Sequence, residues 1–331
     1  MSRTKSYEKS FLRGVIELFM YGQFFLLFAL ILVGYYCNKK GWLNRETNKN
    51  MSGMVVHVMI PAMIITAIAK IEITSAILKG FFLFVLAQFA IAVVFGFLMR
   101  LYCRKRGLEE KLIPMLDITT GSMNTGFIGL PVAAIFLGET GVMYMSAGVL
   151  SLNLYLWSYA ICTIESVNGK GNGGAARTAK KILTNVNCQA VFIGILLAVT
   201  GASVYIPEMV MTFLKKVGDL ATPLSLIYIG ALAGSSGIMS LLKEKTAFEL
   251  SVVKMIGLPM LAILIMMVVP AGSIAKSTFL LTAALPAAVV VPMMVEQSGY
   301  GEKLSSDIVL WSTLISMVTM PVCVWIAGIL Y

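Results

Sequence analysis

Ten runs of about twenty apolar residues follow one another through this chain with only short hydrophilic gaps, and that succession leaves few folds open. They fall near 16–37, 51–69, 76–100, 112–138, 141–165, 187–205, 217–235, 247–270, 275–298 and 304–330. Hydrocarbon offers no water to an unpaired N–H or C=O, so each run is expected to be an α-helix. Charged residues make up 13% of the chain, against about a quarter in a soluble domain. The reading is an all-α multi-pass membrane protein with no separate soluble domain. The sixth run is the weakest, because Ser203, Pro207 and Glu208 follow it closely; Met209 to Leu214 extend it or lie at the interface.

Four prolines divide the chain into halves. Pro61 and Pro131 lie in apolar runs of the first half, Pro223 and Pro292 in runs of the second, at offsets of 162 and 161 residues. A proline inside a membrane helix removes a backbone hydrogen bond, so the freed carbonyls must face protein or a wet cavity. Matched interruptions in two halves are the sequence pointer to a substrate site in a transporter. Five helices per half is an odd number, so two related halves would be inverted: residues 1–166 and 187–331, joined by a cytoplasmic linker over 167–186. The linker's glycines lack the spacing of a phosphate loop and no strand precedes them.

Arg3, Lys5, Lys9 and Arg13 precede the first run in the manner of a signal peptide, but the run is too long and ends in Tyr35-Tyr36-Cys37-Asn38, so it is read as an uncleaved helix. The 5 cysteines are scattered and suggest neither disulfides nor a metal site. Lys and Arg number sixteen on one set of loops and nine on the other, which predicts both termini outside; Lys254 is set aside as an intramembrane or boundary residue. The net charge of +10 is spread over loops, so it reads as membrane orientation and no nucleic-acid partner is expected.

The fourth run carries the richest chemistry, Asp117-Ile-Thr-Thr-Gly-Ser-Met-Asn-Thr-Gly-Phe-Ile-Gly-Leu-Pro131. Small, hydroxylated and amide residues are expensive against lipid and natural where a chain unwinds around a polar ligand. Asn124, Thr125 and Gly126 sit at the expected break, where free amides and an Asn side chain suit a carboxylate. Close helix packing is the competing explanation for the glycines. The ninth run answers with Pro286 and Pro292 bracketing a stretch that cannot complete a helical hydrogen-bond set. Ser151 and Asn153 could each reach the crossing from the fifth run, or serve packing. His57, one turn before Pro61, reads best as a residue satisfying a broken helix, and the 22 methionines as fillers of helix contacts.

At these two segments the chain resembles the auxin efflux carrier family, which includes plant PIN carriers and bacterial organic-acid permeases. Asn124-Thr125-Gly126-Phe127-Ile128-Gly129-Leu130-Pro131 matches the family's N-T-x-x-x-G-[IL]-P, and Ala284-Leu285-Pro286…Val291-Pro292 its A-L-P…V-P stretch. The resemblance implies a bile acid:sodium symporter-like fold with a scaffold of helices 1, 2, 6 and 7, a moving transport domain of helices 3–5 and 8–10, and elevator-type alternating access. It implies Asn124 as the leading substrate contact, with Pro131, Val291 and Pro292 at the crossing, a plasma-membrane location, and a homodimer through the scaffold. A longer gap between Pro286 and Pro292, Ile64 in place of a serine, and a short central loop favour a small carboxylate, malate- or malonate-like, over auxin.

Coupling is open at this level. Asp117, Glu139, Glu165, Asp219 and Glu296 fall near run ends and no buried acid pair is evident, which suits a uniporter; sodium held by carbonyls and hydroxyls would leave no acidic signature. A membrane enzyme would need a nucleophile and base or a metal cluster, and one His with no H-E-x-x-H or G-x-S-x-G argues against it, so no cofactor or metal is expected. A channel lined by broken helices differs from a carrier in its kinetics, since only a carrier shows trans-stimulation.

Overall fold

The structure is a computed structural model and describes residues 26, 29–69, 71, 74–167, 179–180, 182–235, 244–269, 271–296 and 300–330. The described residues form helices joined by short non-helical segments, with no strand among them. In chain order they form α1 (29–39), α2 (Arg45–Met54), a π-helical turn (Val55–Met59), α3 (Ile60–Ile68), α4 (Ser75–Lys105) and α5 (Ile113–Gly121). A second π turn (Thr125–Gly129), α6 (Leu130–Tyr155), a third π turn (Leu156–Ala160) and α7 (Ile161–Val167) complete the first half. The second half holds α8 (Val186–Thr200), α9 (Glu208–Asp219), α10 (Ala221–Ser235), α11 (Lys245–Val268), α12 (Ser273–Ala283), α13 (Val290–Glu296) and α14 (Glu302–Leu330). Most of the expected first run and of the 167–186 linker lies outside the described residues.

Six stretches of the described residues are long and apolar enough to cross a bilayer, and α8 is a shorter apolar helix. One stretch, Ile113–Ile164, has 52 residues. At 1.5 Å per residue it would be about 78 Å long if straight, more than twice the roughly 30 Å of a hydrocarbon core. It is not straight, because Gly138 turns the chain with φ 62° and ψ −159°, a conformation open to glycine and denied to side-chain-bearing residues. That turn separates the fourth and fifth expected runs. The ninth run forms no single long helix, since α12 and α13 are separated by residues 284–289.

The prolines act differently from expectation. Pro61 does not break its helix: the π turn at Val55–Met59 absorbs the irregularity and the chain continues helically through α3. His57 Nδ1 lies 2.9 Å from the Gly53 carbonyl oxygen in that turn, a local satisfaction of the helix. Pro131 stands in the first turn of α6, again straight after a π turn. Pro223 and Pro292 are the third residues of α10 and α13, where a missing N–H removes no helical bond.

Helices group by small-residue contact and apolar packing. A Cβ on Gly34 of α1 would lie 1.9 Å from the Ile227 carbonyl oxygen of α10, and one on Gly230 equally close to that of Ile31, so the two helices touch backbone to backbone. α3 packs on α8 and α9, and α10 on α2. A second group joins α4 to α5 and α6, and α11 to α12 and α14, with α12 also against α6. α6 meets α3 and α8, and α10 meets the Thr125–Gly129 turn, so the groups abut beside the interrupted segments. Leu83, Leu86, Val94, Phe97 and Leu98 of α4 point outward, the apolar face expected against lipid.

Candidate functional site

The interruption in the fourth run falls at Ser122–Asn124, seven or more residues before Pro131. α5 stops when Ser122 takes an extended conformation, ψ 152°. Four carbonyls at a helix end lose their intrahelical donors, and these must be met locally because the segment is buried. The Thr119 oxygen accepts from Ser122 N at 3.3 Å and Ser122 Oγ at 2.7 Å, while the Ile118 oxygen accepts from Tyr155 Oη at 3.3 Å. Lys254 of α11 donates from Nζ to the oxygens of Thr120, at 2.9 Å, and Ser122, at 2.7 Å.

The two interrupted segments bind each other. Asn124 N donates to the Pro286 oxygen at 2.9 Å, and Ala288 N donates to Ser122 Oγ at 3.1 Å. Ala287 N donates to Ser312 Oγ of α14 at 3.1 Å. Backbone groups that neither helix can satisfy alone are thus satisfied across the crossing, which is why both interruptions are tolerated together.

Asn124 caps the π turn: its Oδ1 accepts from Phe127 N at 3.3 Å, and its main-chain oxygen accepts from Gly129 N at 2.9 Å. Three buried polar atoms next to the crossing have no hydrogen-bond partner among the described residues: Asn124 Nδ2, Thr125 Oγ1 and Gln88 Oε1. Gln88, buried on α4, also lies 3.9 Å by its Nε2 from Met123 Sδ. A Cβ on Gly148 would lie 2.8 Å from Gln88 Oε1 and 3.2 Å from Thr125 Cγ2, so α6 brings a bare backbone to this cluster. A Cβ on Gly126 would meet nothing within 4 Å, which leaves open space beside the π turn. Phe127 stacks on Tyr228 of α10, ring centroids 5.1 Å apart, and so ties the turn to the first helix group.

The expected site residues are therefore placed unevenly. Asn124, Thr125 and Gly126 come together with Pro286 at the crossing, and Val291 is buried with its N–H on the Ala288 oxygen at 3.0 Å. Pro131 is buried and Pro292 half-buried at the starts of their helices. Ser151 is buried one turn after Gly148, on the face of α6 that approaches Gln88 and Thr125. Asn153 turns elsewhere, its Nδ2 donating to the Val149 oxygen of its own helix at 2.9 Å. Gln88 was not singled out from sequence, although it is the one carboxamide in a 31-residue apolar helix. Among the described residues no group of three His, Cys, Asp or Glu side chains is arranged to hold a metal ion.

Asp117 lies one turn inside α5 and is fully buried. Arg100 donates to its Oδ2 from Nε at 2.9 Å and Nη2 at 2.5 Å, and Tyr159 Oη lies 2.9 Å from the same oxygen. Arg100 is thus an ion-pair partner within α4. A Cβ on Gly96 would lie 2.7 Å from Asp117 Oδ1, so the small residue on α4 makes room for the carboxylate. Arg100 and Tyr159 line a cavity of about 450 Å³ with Cys162 and Thr163, and a second of about 300 Å³ is lined by Lys79, Phe84, Tyr144 and Phe279. Asn124 itself is 2% exposed, while Gly126 and Phe127 beside it are half-buried.

The chain is similar to known membrane transport proteins. An uncharacterized transporter of Methanothermobacter thermautotrophicus is 22% identical over 293 residues, covering 88% of this chain and 93% of its own. An uncharacterized transporter of Methanocaldococcus jannaschii is 25% identical over 212 residues, 62% of this chain and 66% of its own. The family model described as membrane transport protein matches residues 19–324. The chain is a multi-pass membrane protein that belongs to this membrane transport family of auxin efflux carrier-like proteins.

Proposed function

We propose that this protein is a secondary transporter of a small organic anion, with the cargo carboxylate bound where the fourth and ninth runs cross. The observation that carries the reading is the trio of buried, unpartnered polar atoms, Asn124 Nδ2, Thr125 Oγ1 and Gln88 Oε1, beside open space at Gly126. Burying a polar group without a partner costs roughly 1–3 kcal/mol, so a cluster of three is expected where a ligand completes the set. Asn124 Nδ2 and Thr125 Oγ1 are donors suited to a carboxylate, and Gln88 Oε1 is an acceptor suited to a cargo hydroxyl such as that of malate.

In this reading the chain has ten membrane helices in two inverted repeats, 1–166 and 187–331, with interruptions at matching places. The group containing α1, α3, α8 and α10 serves as scaffold, and the group containing α4, α5, α6, α11, α12 and α14 moves against it. The burial of Asn124 supports alternating access, in which the two groups shift to expose it. Two copies joined through the scaffold, in the plasma membrane with both termini outside, complete the proposal.

Uptake into proteoliposomes tests it. Flux of malate, malonate or an aromatic acid should saturate and be accelerated by unlabelled cargo on the opposite side. Flux that rises linearly with concentration and ignores the opposite side would make the protein a channel. No flux of any organic anion would remove the cargo class.

A further inference from the structure

Lys254 is the one feature of the crossing that the cargo reading leaves without a role. Its side chain is fully buried in the middle of α11. Among the described residues no carboxylate lies within ion-pair distance of its ammonium. A buried ammonium without a counter-ion is among the costliest groups a protein can hold, and it persists only where other groups compensate the charge. Here the compensation comes from the oxygens of Thr120 and Ser122, at 2.9 and 2.7 Å, at the carbonyl end of α5. Helix carbonyl ends carry partial negative charge, and unwound carbonyls within a membrane are the usual ligands of a free monovalent cation.

We propose that the Lys254 ammonium is a resident cation, tethered to α11 and occupying a carbonyl site that would otherwise accept a small monovalent cation from solution. The interrupted helix therefore needs no sodium for its integrity. The positive charge sits on the carbonyl two residues before Asn124, where it also favours an anion at the crossing. The inference rests on the carbonyl geometry and stands apart from the identity of the cargo.

Thermal melts of the purified protein without any organic anion test it, in sodium, methylammonium, tetramethylammonium or choline chloride at equal ionic strength. The wild type should melt at one temperature in all four salts. Lys254→Ala should melt several degrees lower in choline and regain part of the loss in sodium or methylammonium, which fit the vacated space, and none in tetramethylammonium. Lys254→Met, which fills the space without a charge, should melt low in every salt. A wild type stabilised by sodium over choline overturns the assignment. So does a Lys254→Ala protein that melts like wild type, or one that stays low and ignores the small cations. If Lys254→Ala yields no folded protein in any salt, the wild-type series decides: indifference to sodium supports the proposal and stabilisation by sodium overturns it. Because no cargo is present, these outcomes leave the organic-anion reading untouched, and failure of that reading leaves these melts as they are.

Discussion

Replacing Arg100 with Met removes the principal counter-charge of a carboxylate that has no access to water. Asp117 is fully buried and takes two donors from Arg100 and one from Tyr159. Taking one partner from a buried ion pair costs roughly 3–5 kcal/mol. Tyr159 keeps its bond and the Arg100 side chain is 28% exposed, so Arg100→Met should lie at the lower edge, about 3 kcal/mol. Asp117→Asn leaves an arginine that can reach water at the helix end, and should cost about 1–2 kcal/mol. The double variant exchanges a charged pair for a neutral one, so its loss should fall short of the sum by about 1–3 kcal/mol. Equilibrium unfolding of the four proteins in one detergent measures the coupling. Additivity within about 0.5 kcal/mol would refute the reasoning, because it would mean that the two side chains do not depend on each other.

Three further substitutions probe separate parts of the arrangement. Ser122→Ala leaves the buried Ala288 N–H without its acceptor and should destabilise by roughly 1–3 kcal/mol; an unchanged melt would mean the crossing is held by other bonds. Gly148→Ala places a methyl 2.8 Å from Gln88 Oε1 and should weaken cargo binding at least about tenfold in a protein that still folds, whereas wild-type affinity would move the cargo away from this cluster. Gly34→Leu cannot be accommodated, since its Cβ alone would lie 1.9 Å from the Ile227 oxygen; the variant should fail to fold or lose α1 from α10, and a wild-type melt would contradict the packing of those helices.

The elements best read from sequence are those set by local chemistry. Apolar runs mark helices because lipid forbids other backbone states, and the run of small and polar residues around Asn124 marks an interruption because it suits no lipid-facing helix. Proline was a poorer guide. Pro61 follows a π turn in the first turn of α3 and Pro292 occupies a first turn, while the interruption itself lies at Ser122–Asn124, where the partner segment supplies the missing bonds. That supply is a long-range event, invisible to any window of sequence. The same holds for Lys254, which charge counting set aside, and for Arg100, whose partner Asp117 lies on α5. Each finds its partner in another helix, Lys254 at residues 132 and 134 positions away. Gln88 carried a signal that could have been used, a lone carboxamide in an apolar span.

The central claim is that a small organic anion binds at Asn124. Its most direct test is the melting temperature of purified wild type and Asn124→Ala against mono- and dicarboxylates, indoles and aromatic acids. A ligand that binds the folded state raises that temperature by mass action. At least one carboxylate should stabilise the wild type, and Asn124→Ala, folded and monodisperse, should need roughly ten- to a hundredfold more of it, as expected for a lost charged hydrogen bond of about 1.5–3 kcal/mol. Equal stabilisation of both proteins, or an Asn124→Ala protein that fails to fold, would contradict the account and make Asn124 a structural residue of the crossing.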